Sequence, residues 1–128
     1  MFKQKIIATI SLITICIAST HIAAGQNLTV KLYNKTGYDI DSLIVGSTFV
    51  GRILKDNATA FLKFPNFYFD SGYPYEKLKG IIQGESLSQL NWSWCATEHY
   101  TKTEGIFTFD LVVVKDKDDN RYLRLQDH

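Results

Sequence analysis

The sequence predicts an all-β domain, an antiparallel sandwich of seven or eight strands, immunoglobulin-like in architecture only. Three observations point there. Apolar residues past position 26 recur with a spacing close to two, the repeat of a half-buried strand. Aromatic and β-branched residues, which suit a pleated surface, are abundant. Clusters of Gly, Asn and Asp break the chain into short runs at the intervals of a sandwich or barrel. A small closed β-barrel is the alternative. The Cys-Trp-Cys framework of immunoglobulin domains is absent.

Taken in order, Leu28 to Tyr33 alternates, with Leu28, Val30 and Leu32 on one face. Asn34-Lys35-Thr36-Gly37 reads as a turn, and Tyr38 to Val45 as the return strand. The alternation breaks near Ser42, which suggests a bulge. Ser47 to Val50 is a short strand between Gly46 and Gly51. Ala58 to Phe64 follows the turn at Lys55-Asp56-Asn57, and Pro65 marks a strand end or a sheet edge. Asp70 to Tyr75 reads as an aromatic-bearing loop, and Tyr75 to Gln83 as a further strand. Ile106 to Val114 and Arg121 to Leu125 form the closing hairpin, with Phe107, Phe109, Leu111 and Val113 on one face.

The first 25 residues read as a secretory signal helix. Lys3 and Lys5 form a positive n-region, Ile6 to Ala18 an apolar core, and Ala23-Ala24-Gly25 a small-residue cleavage site before Gln26. The apolar run falls short of the ~18–20 residues needed to span a bilayer. An uncleaved anchor is the alternative. Ile15 before Cys16 does not suit a lipobox, which wants a small residue there. Residues 26–128 then form one exported domain, periplasmic, cell-surface or secreted, with membrane contact only through the signal during export. Losing Lys3 and Lys5 leaves 12 basic against 13 acidic residues, a net charge of −1. No basic stripe of a nucleic-acid binder is visible. With Cys16 removed, Cys95 is a single free cysteine and no internal disulfide can form.

The rare residue types concentrate in Asn91 to Tyr100. Cys95, Glu98 and His99 are the catalytic candidates of a small thiol hydrolase, in which an imidazole activates the thiol and a third group orients the ring. In extended chain, residues four apart lie ~13 Å apart, so Cys95 and His99 meet only across a tight turn; His128 is the other available imidazole. One thiol and one imidazole fall short of the four ligands of structural zinc. Trp92 and Trp94, with Tyr73, Tyr75 and Tyr100 and neighbouring Tyr68, are the binding candidates: exposed rings stack on sugars, whereas buried ones anchor a core. Asp116, Asp118 and Asn120 imitate the first half of a calcium loop, with Asp127 twelve residues into the frame, but Arg121 stands where that loop needs Gly. Asn27, Asn34, Asn57 and Asn91 each begin an N-x-S/T sequon.

No phosphate-binding loop, serine elbow or zinc-protease helix motif occurs. No cofactor is expected. The expected function is binding or interaction and not bond-making: either a glycan held on exposed aromatics, or a protein partner met through an edge strand or the Asp70–Tyr75 loop. A protein or glycan partner fits better than a small-molecule substrate or a nucleic acid.

Overall fold

The computed structural model describes residues 27–91 and 98–128. The signal segment with Cys16, and Trp92, Trp94 and Cys95 of the candidate stretch, lie outside the described residues. The described chain is all-β, without a helix, and has eleven strands in three sheets. The strands outnumber the expected seven or eight because short segments outside the expected runs, such as Phe67–Asp70, Tyr73–Pro74 and Glu85–Ser88, also pair.

The first sheet is ordered β11-β10-β1-β4, from Arg121–Asp127, Glu104–Lys115, Asn27–Asn34 and Leu62–Phe64. The second is β3-β2-β7-β8, from Thr48–Ile53, Ile40–Val45, Leu78–Ile82 and Glu85–Ser88. The third is β6-β5-β9, from Tyr73–Pro74, Phe67–Asp70 and His99–Lys102. Every pair of named strands is antiparallel except β1 and β10, which run parallel from Asn27↔Glu104 to Asn34↔Leu111.

The alternation of β1 buries Leu28, Val30 and Leu32 completely. Phe109 and Leu111 of β10 and Leu123 and Leu125 of β11 join them on the same core. Ile40, Leu43, Val45, Leu78 and Ile82 supply the second sheet's share. At Gly80 the second sheet comes close to Leu123 of the first. A Cβ built there would lie 3.0 Å from Ile40 Cγ2 and 3.4 Å from Leu123 Cδ1 across the core. Any side chain at Gly80 would push the sheets apart.

The Asn34–Gly37 turn does not return β1 on itself. It carries the chain from the first sheet to the second. Asn34 is 1% exposed, and its Nδ2 donates to the carbonyls of Tyr38, Ile53 and Leu54 at 2.7, 3.0 and 3.1 Å. Its Oδ1 accepts from Thr36 N–H and Thr36 Oγ1 at 3.1 and 2.7 Å. The side chain thus stitches the corner to the end of β3, which redirects the strand. The Asn34 sequon is accordingly structural, because its amide nitrogen is spent inside the fold.

Ser42 has a φ of 51°, and the β2 register shifts between Ile40 and Leu43, the bulge expected there. Pro65 closes β4, which is an edge strand. Only Leu62–Phe64 of the expected Ala58–Phe64 strand is ladder; Ala58 contributes an isolated bridge to Tyr33. The Tyr75–Gln83 strand shortens to Leu78–Ile82.

The Asp70–Tyr75 loop is instead a tight hairpin. Ser71 and Gly72 both have positive φ, 50° and 85°, the pattern of a two-residue turn whose twist matches that of its strands. β5 and β6 pair across it through Asp70↔Tyr73 and Phe69↔Pro74. Below the hairpin, Phe67 packs against Phe64, Phe69 and Phe109 with ring centroids 5.3–5.7 Å apart. Tyr100 stacks on Phe69 at 5.4 Å and 6°, and Lys102 Nζ sits 4.9 Å from the Phe107 centroid and 5.1 Å from that of Phe69. This aromatic base makes β5 a rigid support.

A candidate binding cleft

A cleft of about 750 Å³ opens between the β2–β3 turn and the hairpin of the third sheet. One wall is Val45 to Thr48; the other is Tyr68 and Phe69 of β5 with Asn66 before it. The link from β6 to β7 brings Tyr75, Glu76 and Lys77, while Gln89, Asn91 and His99 close the end. Its volume falls within the ~300–1,000 Å³ usual for pockets that enclose a small ligand.

Glu76 organises this site. It is 6% exposed. Its Oε2 accepts the backbone N–H of Tyr68 at 3.1 Å, and its Oε1 that of Lys77 at 3.2 Å. A buried carboxylate is costly unless its oxygens are hydrogen-bonded, and here the backbone meets that need. Gly46 completes the enclosure. Its φ is 61°, its N–H donates to Lys77 O at 2.7 Å, and a Cβ there would lie 3.0 Å from Glu76 Oε1. Glycine satisfies both the left-handed backbone and the close approach.

The aromatic wall follows from the same contacts. Tyr75 N–H donates to Tyr68 O at 2.9 Å. Tyr68 is 50% exposed, while Tyr75 is half-buried. The Tyr75 hydroxyl donates to Asn91 Oδ1 at 3.3 Å, and Gln89 Nε2 donates to the same oxygen at 3.5 Å. Gln89 Oε1 accepts Leu78 N–H at 2.9 Å. Both amide oxygens are therefore engaged by the protein.

Asp70 lies behind the rim, 2% exposed, with Oδ1 bonded to Ser71 Oγ at 3.2 Å and 3.9 Å from His99 Nδ1. Its Oδ2 is buried without a hydrogen-bond partner among the described residues.

The binding candidates are thus divided. Tyr75 lines the cleft; Tyr73 is exposed on the hairpin; Tyr100 is stacked on Phe69. Of the catalytic candidates, Glu98 is exposed and His99 lies at the cleft end. His128 sits elsewhere, stacked on Tyr33 at 3.9 Å with Nδ1 2.6 Å from Asp110 Oδ1.

In the β10–β11 turn, Asp116 Oδ1 accepts from Asp118 N–H and Asn120 N–H at 2.8 and 2.9 Å. Oδ2 accepts from Asn120 Nδ2 and the Tyr122 hydroxyl at 3.1 and 3.2 Å. Desolvation pushes this carboxyl up, but the hydrogen bonds from Asn120, Asp118 and Tyr122 outweigh it and hold Asp116 below its ordinary value. Desolvation, with the Asp116 charge alongside, pushes the Tyr122 hydroxyl up. The carboxylate that imitates a calcium ligand accepts from four protein donors, so the turn closes on itself. No group of three or more metal-binding side chains occurs among the described residues.

Tyr68, named among the aromatic candidates, does line the cleft; sequence reasoning missed Asn66, Glu76 and Gln89, which lie on three separate segments. One signal was available: Glu76 follows Tyr73-Pro74-Tyr75, where Pro74 prevents a continuous ladder and leaves the next backbone amides in need of acceptors. No protein-family model, curated protein or solved structure matches the chain.

Proposed function

We propose that this chain is a small exported, sandwich-like domain that recognises a ligand in the cleft between Gly46 and Tyr68. It acts through this surface and not through bond-making chemistry. One observation carries the reading. The cleft is lined by a half-exposed tyrosine, Tyr68, and by polar side chains that backbone N–H groups hold in fixed positions, as at Glu76 and Gln89. Such preorganisation lowers the ordering cost of binding. Export rests on the Lys3/Lys5, Ile6–Ala18 and Ala23–Gly25 pattern.

Fragment titration of the isotopically labelled exported protein tests this. Fragments should shift the amide signals of Tyr68, Tyr75, Asn91 and His99 together. Shifts confined to other surfaces, or none at all, would refute the cleft as the site.

The thiol hydrolase remains as a second reading, favoured by Asp70 beside His99 at 3.9 Å. A buried carboxylate there can orient the imidazole. Under this reading the parent hydrolyses a test ester and Cys95→Ser abolishes that activity; under the first the parent hydrolyses none.

A further inference from the structure

We infer that the ligand of this cleft is a neutral glycan, a short run of sugar rings; this rests on the cleft being the binding site. Tyr68, half exposed, lines the cleft on a strand whose backbone N–H Glu76 accepts. A sugar's C–H face is the apolar surface that covers such a ring, and aromatic contacts of this kind contribute ~0.5–1.5 kcal/mol beyond the area they bury.

The polar lining selects the rest of the ligand. Asn91 and Gln89 have their carbonyl oxygens occupied by Tyr75, Gln89 and Leu78 donors. What these amides retain for a ligand is N–H donor capacity, which suits hydroxyl and ring oxygens. Ser47 and Thr48 on the facing wall add hydroxyls that both donate and accept.

Charge disfavours the other classes. An anionic ligand wants converging cations, and here Lys77 and His99 share the lining with the Glu76 carboxylate, whose two oxygens are already bonded to backbone N–H groups. A lipid wants a continuous apolar lining, whereas here Ser47, Thr48, Asn66, Gln89 and Asn91 interrupt the apolar surface. A neutral, hydroxyl-rich ring uses both the tyrosine face and the amide donors without leaving either unmatched.

Calorimetric titration of the exported protein with neutral gluco-, xylo-, manno- and N-acetylglucosamine oligosaccharides tests the inference. At least one series should saturate. Tyr68→Ala should weaken that binding by about tenfold, and Tyr68→Phe, which keeps the ring, should restore it to within about twofold. If no series saturates, or if Tyr68→Ala binds like the parent, the glycan assignment is overturned. If fragments shift the cleft amides while no oligosaccharide binds, the ligand class is wrong and the cleft stands. If neither binds, both fall.

Discussion

Glu76 holds the backbone of Tyr68 in place: a carboxylate 6% exposed accepts, at 3.1 Å, the N–H of this half-exposed residue of the cleft wall. The same carboxylate takes the Lys77 N–H at 3.2 Å and lies against Gly46. Glu76→Ala strips two backbone donors of their acceptor. Both bonds are part-buried, and a fully buried unmatched donor costs ~1–3 kcal/mol, so urea unfolding should show a loss of about 1 kcal/mol. Glu76→Gln keeps the shape and one acceptor oxygen, and should recover part of that loss.

Gly80 tests how the two larger sheets are pressed together. Its Cα hydrogen faces Ile40, Leu43 and Leu123, the last from the opposite sheet. Gly80→Ala should destabilise by ~1–3 kcal/mol through overpacking. Adding Leu123→Val in the same chain should relieve part of the strain, a coupling that a double-mutant cycle in urea measures.

Asn34→Asp distinguishes a hydrogen-bonding corner from a merely polar one. The side chain keeps its size and its acceptor oxygen but can no longer donate to Tyr38, Ile53 and Leu54. The buried negative charge then faces three carbonyls. Stability should fall by more than about 2 kcal/mol at neutral pH, with partial recovery on acidification as the new carboxyl takes up a proton and regains one donor.

Asp116 gives a pH dependence of known sign. Its folded pKa lies below the ordinary 3.8, so the unfolded chain takes up the proton first. The stabilisation is present in full well above pH 3.8 and is lost as pH falls through and below that value. Asp39, held low chiefly by the Lys55 backbone N–H, acts in the same direction. Urea midpoints measured down through this range should fall less steeply for Asp116→Asn than for the parent.

Much of the fold was legible where a signal is local. The period-two run of Leu28, Val30 and Leu32 stands in the core as read, and so does the inward face of Phe109 and Leu111. The disturbance at Ser42 is a bulge, and Pro65 ends an edge strand. Non-local features were hidden. Nothing in Asn27–Asn34 announces its parallel partner Glu104–Leu111 far along the chain. The Asn34 turn looks like a hairpin until its side chain is seen tied to β3. The Ser71-Gly72 dipeptide carried a turn signal, but the two-residue strand beyond it is too short for periodicity to register. The cleft was illegible for the same reason: Gly46, Tyr68, Glu76 and Gln89 acquire meaning only when three turns bring them together.

The central claim is that ligand enters the cleft between Gly46 and Tyr68, and filling that space tests it most directly. Asn66 is exposed on the cleft lining, so Asn66→Trp should occupy the opening while changing stability by less than about 0.5 kcal/mol. In a fragment titration followed by amide shifts, the account predicts that the responses of Tyr68, Tyr75, Asn91 and His99 disappear in this variant. Unchanged responses at those four residues, in a variant as stable as the parent, would contradict it.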